Sequence, residues 1–226
     1  AARSRLIVAL AVPGAAAAVA SGERLADSVS LFKVGLQLFI SEGPQIVRTL
    51  RERFPDTDVF LDLKLHDIPN TMRGAIASAR SLGARFITVH AGSGVEHLRA
   101  CVEEAGDSLG ILAVTVLTSQ DEQACQQAGH TRSAAELVAM RAECAREAGC
   151  AGIVCSGQEL ERVGEVAPAL FKVVPGIRPA GTAVGDQKRV MTPTLAIQSG
   201  ATHLVVGRPI MKADDPAASA QAITRE

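Results

Sequence analysis

"DVFLDLKLHDIPNT", residues 58–71, interrupts an apolar run with charge. Val59, Phe60, Leu61, Leu63 and Leu65 have the composition of a buried strand, yet Asp62 and Lys64 sit within it and Asp67 just beyond. Residues two apart on a strand point to the same side. Asp62 and Lys64 therefore share one face, with Leu61, Leu63 and Leu65 on the other. At an effective dielectric of about 20, opposite charges roughly 4 Å apart attract by about 4 kcal/mol. Desolvation consumes most of that, so burying the pair gains little net stability. Function is the better explanation.

Working outward, β-branched runs recur along the chain: 5–11, 31–35, 59–64, 85–90, 111–117, 152–156, 171–176 and 203–208. Helix-like segments lie between them, such as 41–54, 68–83, 133–149 and 192–200. Gly83, Gly149 and Gly200 follow the last periodic residue of their segments, as helix C-caps do. Strands alternating with helices imply parallel crossovers, and eight such strands close a barrel. The expected fold is α/β, a (β/α)8 TIM barrel, with residues 1–226 as a single domain. An open doubly wound sheet is the rival, but the first turn lacks the glycine fingerprint of a dinucleotide site.

In such a barrel the leucines pack on the outer helices and the charged pair faces the interior at the strand's C-terminal end, where active sites sit. Asp67 is three residues past Lys64, about 10 Å of extended chain. It either folds back through the "HDIPN" turn or projects outward into a neighbouring subunit's site. Pro69 and Asn70 suit a strand-to-helix turn. His66 with Asp62 and Asp67 has metal-ligand chemistry, but the adjacent Lys64 ammonium would repel the ion, so no metal is expected. Arg178 follows the seventh strand, and Gly207 and Arg208 follow the eighth, where barrels often build phosphate sites. The planar fork of arginine donates twice to phosphate. Residues 175–189, rich in Gly and Pro, read as a loop able to move over a ligand.

Composition narrows the classes. Net charge is −1 with no basic stripe, which excludes the footprint of a nucleic-acid binder. Trp and Tyr are absent, removing the usual base-stacking platforms. No apolar stretch is long enough to span a bilayer, and no signal-peptide pattern precedes the first strand. The five cysteines, Cys101, Cys125, Cys144, Cys150 and Cys155, have no CxxC spacing. They read as small buried thiols in a reducing, cytoplasmic setting rather than as zinc ligands or a disulfide framework. His90, His97, His130 and His203 read as core or surface residues without a role.

"FLDLKLHDIPNT" resembles the signature of the orotidine 5′-phosphate decarboxylase family. Similar pieces follow in order: "LFKVGLQLF" at 31–39, "VTVLTS" at 114–119, "PGIRP" at 175–179, "GDQKRVMTP" at 185–193 and "VVGRPI" at 205–210. The resemblance runs from about Leu6 to Pro216. It implies conversion of orotidine 5′-monophosphate to UMP without metal or organic cofactor. It also implies a homodimer in which Asp67 reaches the partner's site. By the same likeness Lys64 supplies positive charge and protonates C6, Asp62 lies by the departing carboxylate, and Lys33 joins the network and contacts the ribose. Thr118 meets the pyrimidine, Thr71 is a weaker binding candidate, and Gln187 closes on the phosphate held by Arg178, Gly207 and Arg208.

One position departs from the pattern. The family has an aspartate on a ribose hydroxyl at the end of the first strand, where this chain has Ala11. A missing hydrogen bond to a charged group is worth roughly 1.5–3 kcal/mol, so weaker substrate binding with residual turnover is expected. Two rivals remain: a Mg2+-dependent sugar-phosphate enzyme on the same barrel, which shares Asp-x-Lys-x-x-Asp, and a nucleotide-binding relative without catalysis.

Overall fold

A computed structural model describes residues 3–179 and 190–226. Among them, parallel strands β1 (Leu6–Ala9), β2 (Leu31–Gly35), β3 (Asp58–Leu65), β4 (Phe86–His90), β5 (Gly110–Val114), β6 (Gly152–Val154), β7 (Phe171–Val174) and β8 (His203–Val206) close in sequence order into a barrel. The helices α1 (Ala15–Leu25), α2 (Leu36–Glu42), α3 (Gln45–Arg53), α4 (Pro69–Ser81), α5 (Val95–Ala105) and α6 (Glu122–Gln127) alternate with the first strands. They are followed by α7 (Ala134–Glu147), α8 (Leu160–Val166), α9 (Pro193–Gln198), α10 (Arg208–Met211) and α11 (Pro216–Arg225). The expected (β/α)8 barrel is the fold.

The pleat sorts the core in two. Outward residues such as Val8, Val34, Val59, Leu61, Ile87 and Val89 join one large cluster beneath the helices. Inward residues Ile7, Leu31, Phe60, Phe86, Leu112, Val173 and Val205 fill the lower barrel. Phe60 and Phe86 meet edge-to-face there, with centroids 6.5 Å apart, the preferred geometry for aromatic rings.

The differences from expectation lie mainly at strand ends. Strands β1, β5, β6, β7 and β8 all stop two or three residues earlier than the apolar runs suggest. Tilted barrel strands diverge at the mouth, and their last residues turn into the loops that rim it. The segment 41–54 is not one helix: Gly43, at φ +62°, ends α2, and α3 starts after Pro44. A left-handed glycine followed by a residue without N–H cannot continue a helical ladder. Gly83, Gly149 and Gly200 do adopt positive φ beyond their helices. Four of the cysteines are buried and none is paired. Burial pushes the Cys150 thiol up to about 12, which makes it a packing group rather than a nucleophile.

Candidate active site

The pleat that puts Leu31 and Phe60 inside the barrel also puts Lys33 and Asp62 inside, two residues nearer the mouth. Asp62 Oδ2 lies 3.0 Å from Lys33 Nζ, and Asp62 Oδ1 accepts a hydrogen bond from Lys64 Nζ at 2.7 Å. One carboxylate thus holds two ammonium groups, and the cluster carries a net positive charge suited to an anion. Gly35 pairs with Asp62 in register. A Cβ at that position would stand only 3.2 Å from Lys33 Nζ, so glycine leaves the amine its space. Burial alone would raise the Asp62 carboxyl; the Lys33 and Lys64 charges outweigh it and hold the group below the usual carboxylate range.

Lys64 does not follow simple alternation. Leu61 pairs with Ile87 and Leu65 with Val89, so residues 62–64 of β3 bulge opposite the single residue Thr88 of β4. Lys64 takes φ 51°, a left-handed conformation uncommon for a residue with a side chain. Its backbone N–H donates to Thr88 Oγ1 at 2.8 Å, and Thr88 Oγ1 donates to Asp62 Oδ1 at 3.1 Å. Bulges beside active sites re-aim side chains, and here the bulge turns the Lys64 amine onto Asp62.

These groups open on a cavity of about 310 Å3, lined on one side by Lys33, Asp62 and Lys64 and on the other by Val114, Thr118 and Cys155. Charge sits on β2 and β3; the wall from β5 to β8 is mostly apolar. Arg178 is buried at the rim after β7, its Nη1 donating to the Ile177 carbonyl at 2.8 Å. Gly207 caps α10 after β8, and the exposed Arg208 is its first residue. Ala11 is exposed just past β1. Gln187 lies outside the described residues.

Asp67 does not join Lys64 within the protomer. Its carboxylate accepts from the Ile68 N–H at 2.7 Å and faces a separate surface cavity of about 570 Å3 with His66, Ser93 and His97. Of the two courses open to it in the sequence, it takes the outward one. Thr71 is exposed on the first turn of α4, the same edge. His66 Nε2 stands 2.7 Å from Ser93 Oγ rather than on Asp62. His90 closes β4, with its pKa lowered by burial and then by His66 and Lys64. Thr88 and Gly35 are the site residues that sequence reading missed. The available signal was a polar residue in phase with Phe86 and His90 in "FITVH".

Residues 4–223 match the model of the orotidine 5′-phosphate decarboxylase / HUMPS family. The chain belongs to that family. It is 50% identical over 226 residues to the orotidine 5′-phosphate decarboxylase of Rhodopseudomonas palustris (strain BisB5), covering 99% of this chain and 94% of the relative. It is 49% identical over 220 residues to the enzyme so named from Anaeromyxobacter dehalogenans, covering 97% and 96%. Among solved structures, orotidine 5′-phosphate decarboxylase from Lactobacillus acidophilus superposes with a TM-score of 0.86 at 32% identity, over 98% of both chains. That from Pyrococcus horikoshii OT3 gives 0.79 at 26% identity, over 97% of both.

Proposed function

We infer that the chain decarboxylates orotidine 5′-monophosphate to UMP in pyrimidine biosynthesis. The observation that carries this reading is the Lys33–Asp62–Lys64 network at the barrel mouth, in a chain half identical to proteins named for that reaction. Loss of CO2 breaks the bond between C6 and its carboxylate. The electron pair stays in an sp2 orbital that the ring π system delocalises poorly, so placed charge must stabilise it. Lys64 Nζ lies against that carbon, gives it a proton and regains one from water. Asp62 stands by the departing carboxylate and fixes both ammonium groups.

The remaining groups bind. Lys33 contacts the ribose and Thr118 the pyrimidine. Arg178, Gly207 and Arg208 take the phosphate, with Gln187 closing over it. Ala11 leaves one ribose hydroxyl without its charged partner. The route needs no metal and no organic cofactor. Both Asp62 oxygens already face ammonium groups, which disfavours the Mg2+-dependent sugar-phosphate reading on charge grounds.

The same reading makes the protein a homodimer with Asp67 and Thr71 completing the partner's site. Supporting it, Leu36 and Ile40, four apart on α2, are 53% and 79% exposed, and Ile68 beside Asp67 is 66% exposed. Exposed apolar side chains on α2 and an exposed isoleucine beside an outward carboxylate fit a self-complementary contact. The 226 residues act as one catalytic domain, in a cytoplasm that keeps the cysteines reduced. No helix among the described residues is long and apolar enough to cross a membrane.

An ultraviolet assay of orotidine monophosphate with EDTA present tests this directly. The protein consumes substrate at an undiminished rate, and Lys64→Ala is slower by at least ~10³-fold. Equal rates in the two overturn the mechanism; UMP binding without turnover favours the non-catalytic relative. Mixing Lys64→Ala with Asp67→Ala tests the shared site, since random dimers restore about a quarter of the sites. No recovery on mixing removes the contribution in trans.

A further inference from the structure

We propose that Thr88 is a positioning residue whose buried hydroxyl locks the β3 bulge and the Asp62 carboxylate into one arrangement, and so aims the Lys64 amine. The inference rests on the decarboxylase reading for its consequence in turnover, but its geometry stands independently. Three residues of β3, 62–64, lie opposite Thr88 alone, so the strand ladder offers the Lys64 N–H no backbone acceptor from β4 there. The Thr88 side chain, fully buried, takes that place by accepting from Lys64 N at 2.8 Å.

A hydroxyl has one proton to give. Thr88 gives it to Asp62 Oδ1 at 3.1 Å, the oxygen that also accepts from Lys64 Nζ. The hydroxyl therefore ties the main chain of Lys64 and the carboxylate that receives its side chain to one point on a neighbouring strand. The carboxylate cannot turn without breaking this bond, and Lys64 cannot leave its left-handed conformation without losing its acceptor. A polar residue between Ile87 and Val89, in a strand whose other interior residue below it is Phe86, has no packing reason to be there. Valine would fill the same volume and pack as well.

The test replaces the hydroxyl while keeping the shape. In Thr88→Val, kcat falls roughly 10- to 100-fold, the range expected when a reacting group is misplaced by about 1 Å. KM changes less than about threefold, because no group assigned to substrate is removed. Thr88→Ser keeps the hydroxyl and stays within about threefold of the parent in both constants. A merely structural role would instead lower thermal stability in Thr88→Val and leave kcat and KM of the folded protein unchanged. As a second readout, 13C titration of the Asp62 carboxyl moves upward in Thr88→Val and not in Thr88→Ser, since a donor to the anion has gone.

Parental kcat in Thr88→Val, or equal losses in the valine and serine variants, overturns the proposal. Should the valine variant not fold, Thr88→Ala is compared with Thr88→Ser by the same measurements. If the parent protein itself fails to consume orotidine monophosphate, the functional reading falls. The carboxyl titration then decides the Thr88 inference alone, and an unmoved Asp62 signal refutes it.

Discussion

One step of the pleat separates two layers inside this barrel. In the lower layer Ile7, Leu31, Phe60, Phe86 and Leu112 fill the space with apolar side chains. Two residues further along the same strands stand Ala9, Lys33, Asp62, Thr88 and Val114. The lower layer stabilises by removing apolar area from water, at about 25 cal/mol per Å2. The upper layer gains little from its charges, because the attraction is offset by desolvation. Charge is thus concentrated where the barrel can spare stability, on a base that supplies it. The division also runs around the ring: β2–β4 carry the polar groups, and β5–β8 present a mostly apolar wall.

If the two layers have separate tasks, their variants fail in different ways. Leu31→Ala deletes a side chain that is 5% exposed, directly below Lys33 on β2. A cavity of that kind costs about 2–5 kcal/mol, or a fall in Tm of roughly 4–20 °C for a chain of this size. At temperatures where the variant is folded, kcat stays within a few-fold of the parent. Lys64→Ala is expected to do the reverse, keeping Tm while losing turnover. Calorimetry and the ultraviolet assay on both variants check the pair. A large loss of kcat in Leu31→Ala at full folding breaks the division.

A smaller effect is expected at Ala11, where the upper layer lacks charge on β1. Ala11→Asp adds a carboxylate two residues past Ala9, at the mouth rather than in the packed layer. By the family likeness it regains a hydrogen bond to the ribose worth roughly 1.5–3 kcal/mol. Expressed as kcat/KM this is a rise of about 10- to 150-fold, with Tm changed little. An unchanged kcat/KM removes Ala11 from the substrate site.

Much of this arrangement was legible in the chain, for reasons that differ by residue. Strand faces could be read because the side-chain period is two, and Asp62 and Lys64 stood out because charge in an apolar run has few structural explanations. Thr88 does not stand out: threonine is a good strand former, and only the three residues opposite it, 62–64, reveal its task. The bulge that creates that need arises from pairing between strands, which no single strand records. Asp67 is ambiguous because the two residues between it and Lys64 permit both directions. The break at Gly43–Pro44 had a clear local signal in its glycine and proline, and the apolar periodicity on either side masked it.

Acid probes the floor histidine His203 and the mouth carboxylate Asp62 in different pH ranges, and the effect is the smallest of those expected. At the barrel floor, His203 packs on Phe171 at 5.3 Å and Phe86 at 6.4 Å. Its pKa is lowered by burial and then by Arg5; burial lowers His90 and His97 as well. Unfolded histidines take up protons near pH 6.5, while the folded ones resist. The unfolded state therefore binds more protons, and stability falls as pH drops through that value. Asp62 is depressed in the folded state, so its contribution is complete above about pH 4 and is lost as pH falls from there toward its folded value. Tm should decline in one step between pH 7 and 5 and in another below 4, each kcal/mol lost lowering it by roughly 2–4 °C. His203→Gln should shrink the upper step, which His90 and His97 share, and leave the lower; Asp62→Asn should shrink the lower and leave the upper. If His203→Gln instead erased the acid-limb loss below pH 4, the floor and the mouth would be one electrostatic unit, and the separation of tasks between the layers would fail.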